Sequence, residues 1–227
     1  MEPIRRSPVG RGLDLDGVRL HGPRWTVGPS VAVEERWRSR TGRGCTLPVV
    51  TAFDAEADLS GDWAFRLMSN TPVTLFWRSP ILDRTTGWLR DHGYQVTHLD
   101  ASGWTTEEAM HRDTAAVLGF PGYYGHNLDA LNDCMRDVVS QEYGWTPQAA
   151  GLVLVFTGYD TFATHCPRSA QIVLDTMARH SRSASLIGRR LMCLVQSNDP
   201  QIRFQPVGAV PALWNDAEWA DANRRPA

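Results

Sequence analysis

From about residue 72 onward, short apolar runs alternate with stretches in which apolar residues recur every three or four positions. That alternation is the pattern of strand-helix units feeding a parallel sheet. Residues 73–77 (VTLFW) read as a strand, followed by a helix near 83–92 that Gly93 closes, since a residue without a Cβ suits a left-handed helix C-cap. A second strand is predicted over 94–100. Thr105 or Thr106 can cap the next helix, which runs to Leu118 with Glu107 and Glu108 in its first turn, opposing the positive end of the helix dipole. Residues 152–156 (LVLVF) form an unbroken apolar run, as expected of a parallel strand covered on both faces. An amphipathic helix over about 168–182 and a last strand over 191–195 complete the series.

The first 70 residues have a different texture. They are rich in Gly, Pro and Arg, and their strand-like pieces (17–21, 25–27 and 63–68) are broken by turn signals, which predicts a small, mostly β N-terminal region. The expected organisation is therefore residues 1–70, an α/β domain over 71–210, and a tail over 211–227 whose Trp214 and Trp219 pack back on the sheet or reach a neighbour.

Composition narrows the function classes. A chain of 227 residues, 42% hydrophobic, can bury a core, and a formal charge of -2 describes neither a general nucleic-acid binder nor an acidic tail. All 23 basic residues are Arg, which fits the codon bias of a high-GC bacterial genome. Cys45, Cys134, Cys166 and Cys193 lie far apart, in no CxxC or Cys/His cluster, so neither a metal nor a disulfide is expected. Arg11, Asp14 and Asp16 stand where a secretion signal needs apolar residues, and no run reaches membrane-spanning length; the expected location is the reducing cytoplasm. No GxGxxG or GxxxxGK[ST] loop follows a predicted strand, which sets aside the common nucleotide-binding sites, and no cofactor is expected.

The most informative segment lies between the second and third strands. In a helix beginning after Asn127, Leu128, Leu131, Cys134, Met135, Val138 and Val139 form an apolar stripe, leaving Asp129, Asn132, Asp133 and Arg136 toward solvent. Asp129 and Asp133 are four apart and adjacent on that surface, where like charges cost an isolated helix on the order of 0.2–0.5 kcal/mol. Folding alone does not ask for this pair. Just upstream, Tyr123-Tyr124-Gly125 sets two rings on a loop beside the carboxylates, and aromatic anchors next to charge are typical of binding hot spots. Between Trp104 and Trp145 seven acids face only Arg112 and Arg136, a local charge of -5.

The contiguous stretch PGYYGHNLDALNDC at 121–134 closely resembles the loop-plus-helix signature of the barstar family, intracellular inhibitors of barnase-type ribonucleases, and the flanking elements follow the family's order from about 94 to 197. The strand and helix before residue 92 would then be an additional βα unit in front of the usual parallel sheet with helices. The resemblance implies a non-enzymatic protein that blocks a guanyl-specific, barnase-like ribonuclease one to one, without cofactor, metal or direct nucleic-acid contact. Residue by residue, it makes Tyr123 the partner-contacting tyrosine, Asp129 the first acidic contact and Asp133 the carboxylate that enters the enzyme's phosphate site. Gly125, His126 and Asn127 belong to the same contact surface. An aspartate on a rigid helix can fill a cleft built for an RNA phosphate while offering no cleavable bond, and the barnase-barstar pair is the standard example of such steering and of a hot-spot aspartate. Two positions depart from the pattern. Asn132 replaces the family's tryptophan between the aspartates, and Arg179, with Asp175 one turn earlier, stands where another partner-facing acid is found. Both imply a target other than barnase itself.

Other readings compete. A hydrolase could use His126 as a base among Asp129, Asp133 and Tyr123, but nucleophile and metal partners are missing and a single histidine at a helix start is more often a cap or surface residue. An interaction or scaffold module keeping the fold without the inhibition is the main alternative. His98 and His165 read as structural or solvent-facing, Tyr124 as a buried hinge with Tyr123 outward, and Cys134 as a buried small hydrophobe. The tryptophans read as core or interface material, with Trp104 and Trp145 alone near enough to the acidic region to touch a partner.

Overall fold

A computed structural model describes residues 52–54 and 56–224, all within the unit Val49–Ala227. Strands β1 (Val73–Phe76), β2 (Gln95–Asp100), β3 (Leu152–Thr157), β4 (Leu191–Gln196) and β5 (Leu213–Trp214) form one sheet in the order β2-β3-β4-β1-β5, with every pair parallel. Helices α1 (Trp63–Asn70), α2 (Ser79–Asp91), α3 (Glu107–Leu118), α4 (Leu128–Ser140), α5 (Tyr159–His165) and α6 (Pro167–Leu186) cover it.

Side chains alternate across a strand, so each strand feeds two cores. Leu152, Leu154 and Phe156 of β3, with Leu191, Cys193 and Val195 of β4, join the larger cluster under α3 to α6, centred on the fully buried Trp104 and its edge-on contacts with Phe156 and Phe162. Val153, Val155, Met192 and Leu194 face the other way, where Phe76 and residues Ala64 of α1 and Leu82 and Leu89 of α2 cover them. The added β1-α2 unit thus explains the unbroken apolar runs of β3 and β4: without α2 one face of these strands would meet water.

Two expectations change. The segment 63–68 is helix, not strand. Asp62 caps it by accepting from the Phe65 N–H at 3.0 Å, and Trp63 stacks on Trp88 of α2 at 5.6 Å, which six residues without clear alternation could not reveal. The remaining N-terminal strand-like pieces lie outside the described residues. A short helix, α5, precedes α6, and α6 runs from Pro167 to Leu186, beyond the predicted 168–182.

The tail takes the first of the two placements expected for it, packing back on the sheet. Residues 211–224 return to the sheet, where β5 adds beside β1 and Asn215 donates to the Leu75 carbonyl at 3.1 Å. Glu218 is fully buried, accepting from the Trp77 and Arg78 backbone N–H groups, both at 3.0 Å, and from the Asn215 side chain at 2.6 Å. Arg78 is the N-cap residue of α2 and offers no side-chain cap, so this carboxylate sits at the positive end of the helix dipole. Arg224, also buried, donates to the Pro200 and Trp219 carbonyls at 3.0 and 2.9 Å and lies over the Trp214 ring.

Candidate acidic recognition surface

The loop between α3 and α4 is shaped from both ends. Thr106 caps α3 through the Ala109 N–H at 3.2 Å, and Gly119 ends it in the left-handed conformation at φ 66. Tyr124 then turns inward: its backbone N–H bonds Pro121 O at 2.9 Å, its ring packs edge-on against Phe120, and its hydroxyl bonds His111 Nδ1 in the core. Neighbouring side chains in a tight loop cannot both enter the core, and Tyr123 is left 80% exposed. The buried anchor fixes the direction of the exposed ring.

Asn127 starts α4 by accepting from the Ala130 N–H at 2.8 Å, while its amide donates to Gly125 O at 3.2 Å. Gly125 has little room for a side chain, because a Cβ there would meet Asn127 Nδ2 at 3.1 Å and Ala130 Cβ at 3.4 Å. His126, at φ 48, is exposed with its ring centroid 4.9 Å from that of Tyr124. Leu131, Cys134, Met135, Val138 and Val139 are buried as the apolar stripe predicts, so α4 is held along its length and Asp129 and Asp133 project from a fixed frame.

Five of the seven acids of this region divide sharply. Glu107 bonds Ser169, Asp113 accepts from the Trp104 indole at 3.0 Å and pairs with Arg112, and Asp137 accepts from Tyr143 at 3.2 Å. Those three serve the fold. Asp133 pairs with Arg136 at 2.9 Å with both side chains about two-thirds exposed, an ion pair worth at most ~1 kcal/mol. Asp129 is exposed and has no ion-pair partner among the described residues.

The departing positions are bound up with one another. Asn132 is half-buried, its side-chain oxygen 3.2 Å from His180 Nε2 and 3.4 Å from Arg179 Nη1, which links α4 to α6. Arg179 also reaches Asp175 at 3.3 Å, and Asp175 accepts from the Gly208 N–H at 2.8 Å. Asn132 and Asp175 thus hold internal hydrogen bonds, whereas the exposed Arg179 adds a cation to the edge of the acidic face.

Sequence patterns did not single out the supports. His111 lies on the buried side of α3 with Met110, Thr114 and Leu118, and its Nε2 is buried with no hydrogen-bond partner among the described residues. Burial holds its pKa below the ordinary histidine value of 6.5, against an opposing pull from Glu107. Desolvation likewise lowers His180 and raises the Tyr124 hydroxyl. A polar residue on a helix stripe that is otherwise buried was the available signal for His111.

Trp104 and Trp145, the tryptophans expected near a partner, are both buried, so neither offers a contact surface. Trp219 of the tail is instead 72% exposed. Cys134, Cys166 and Cys193 are free thiols, and Cys45 lies outside the described residues. Among the described residues no group of three or more His, Cys, Asp or Glu is placed to hold a metal, and no helix is long and apolar enough to cross a membrane.

The parallel α/β domain thus presents a carboxylate pair and a tyrosine on the outside of a packed helix and its leading loop. Residues 94–196, just under half of the chain, match the model of the family described as "Barstar (barnase inhibitor)". The chain is also 39% identical over 56 residues to "Putative ribonuclease inhibitor YrdF" of Bacillus subtilis (strain 168), a match covering 25% of this chain and 54% of that protein. The chain thus spans about half the length of that relative. The match begins at Tyr94, which places β1 and α2 in front of the family's domain.

Proposed function

We propose that this protein binds a partner ribonuclease and blocks its active site, acting in the bacterial cytoplasm as an immunity protein against a guanyl-specific, barnase-like enzyme, one inhibitor to one enzyme. The observation that carries the reading is Asp129 and Asp133 exposed on a helix packed along its length, beside a tyrosine held outward by a buried anchor. A ribonuclease cleft is positive where it grips phosphate, and carboxylates fixed in advance meet it without the entropy cost of ordering flexible side chains. Tyr123, Asp129 and Asp133 are the central contacts, with Gly125, His126 and Asn127 shaping the loop and Asn132, Asp175 and Arg179 at the border.

Arg136 and Arg179 make this face less uniformly acidic, and they support a second reading: an interaction module with the same fold whose partner is not a ribonuclease. A hydrolase centred on His126 gains no support, because no hydrogen bond joins His126 to Asp129 or Asp133 among the described residues.

The full-length protein should be inert toward RNA alone and should titrate a barnase-like ribonuclease to a stoichiometric end point. The Asp129→Ala plus Asp133→Ala double variant should lose that inhibition. Capture of unrelated partners by wild type and double variant alike, with no ribonuclease inhibited, would favour the second reading.

A further inference from the structure

The sheet face opposite α4 carries a cleft of about 440 Å³ between α1, α2 and the returning tail. Its floor is Thr74 and Phe76, the two β1 residues that point away from the larger core. Trp63, Trp214 and Trp219 contribute three indoles to the walls. Trp63 uses one face to stack on Trp88, and Trp219 remains 72% exposed, so its ring is accessible to a ligand in the cleft.

Charge selects among the possible occupants. Three charged side chains line the cleft: Arg66, Asp216 and Arg84. Arg66 and Asp216 pair with each other, tying α1 to the tail. The Arg84 guanidinium stands 5.9 Å from the Trp63 ring centroid and has no ion-pair partner among the described residues. Among the described residues the lining therefore carries one positive charge without an ion-pair partner, on an aromatic wall. Thr71 and Thr85 direct their hydroxyl protons to the carbonyls of Pro211 and Ile81, at 2.9 Å each, and do not add donors for an anion. One cation fixed beside indoles matches a ligand with one anionic end and a flat apolar body.

We propose that this cleft is a binding site for a small aromatic monocarboxylate, its ring against the indoles and its carboxylate on Arg84. The site is independent of the ribonuclease reading, because it uses the other face of the sheet and none of the residues of α4 or its leading loop.

The test uses the full-length protein with naphthalene-2-carboxylate as probe and the neutral naphthalene-2-carboxamide as control, followed by calorimetry and tryptophan fluorescence. The carboxylate should bind saturably, one per chain, and the carboxamide about tenfold more weakly, the loss expected for one charge-assisted hydrogen bond. Arg84→Gln should bring the carboxylate down to the carboxamide's affinity, with an unchanged unfolding midpoint showing that the fold persists. Trp219→Ala, an exposed position, should weaken both probes, and Asp133→Ala should change neither. Absence of saturable carboxylate binding, equal affinity for the two probes, or indifference to Arg84→Gln would each overturn the proposal.

Discussion

Two regions of this molecule place carboxylates at or near the first turn of a helix and treat them in opposite ways. In the returning tail, Glu218 is buried and its oxygens accept from Trp77 and Arg78 at the start of α2 and from Asn215 of the tail itself. On α4, Asp129 and Asp133 stand in water, one without an ion-pair partner among the described residues and the other with a single exposed arginine. A carboxylate whose hydrogen-bonding capacity is filled from within can only stabilise the fold. One left unfilled on a rigid helix contributes little to the fold and remains available to a partner.

The largest effect expected from this contrast is on stability. Glu218→Ala leaves the part-buried Trp77 and Arg78 backbone N–H groups and one proton of the Asn215 amide without their acceptor, each costing about 1 kcal/mol, so the variant should lose roughly 3 kcal/mol in urea unfolding. Glu218→Gln should lose less, because one amide oxygen still accepts. Neither should change affinity for a ribonuclease once folded, since none of Glu218's hydrogen-bond partners belongs to α4 or its leading loop. A Glu218→Ala protein as stable as wild type would remove the contrast.

Asp133→Ala should show the reverse. Unfolding free energy should stay within about 0.5 kcal/mol of wild type, while the complex with a barnase-like ribonuclease weakens by more than ~2 kcal/mol, as for a hot-spot residue. Surface plasmon resonance read beside urea titration separates the two quantities. An affinity equal to wild type would refute the assignment of this residue.

A smaller effect should follow pH through the anchor beneath Tyr123. Because burial depresses the His111 pKa below 6.5, the folded state binds fewer protons than the unfolded state in the window below that value. Stability should therefore hold above about pH 6.5, fall as the solution is acidified toward the depressed folded value, and level off below it. A second proton would put a charged N–H where Nε2 now has no partner among the described residues. His111→Gln should flatten the decline without abolishing it, because His180 is shifted in the same direction by the same cause. Urea midpoints between about pH 7.5 and about pH 5.5 that run parallel in wild type and His111→Gln would sink this account.

Which parts of this were visible in the sequence follows from the range of the interactions involved. The stripe of α4 repeats every three or four residues and its Asn127 cap is local, so the burial of Leu131, Met135 and Val138 and the exposure of Asp129 and Asp133 could be read directly. The opposite orientations of Tyr123 and Tyr124 were also readable. Partnerships across long separations were not: Glu218 meets Arg78 across 140 residues, and Asn132 meets His180 across 48. The two residues of β5 are too few to show a period, and α1 carries a single buried residue, Ala64, in eight. Counting charge along the chain also hid that Glu107, Asp113 and Asp137 are engaged internally.

The smallest expected effect tests whether the acidic pair is neutral to folding. Removing either charge relieves the same repulsion between Asp129 and Asp133, on the order of 0.2–0.5 kcal/mol. Asp129→Asn also gives up a favourable position in the first turn, worth about 0.3–1 kcal/mol against the dipole, whereas Asp133→Asn gives up only an exposed pair with Arg136, worth a few tenths. Asp133→Asn should thus be at least as stable as Asp129→Asn, with both near wild type. Added salt should shrink the gap, because each contribution comes from exposed charges. A loss of more than about 1 kcal/mol in either variant would mean that this carboxylate holds the fold as Glu218 does, and is not held in reserve for a partner.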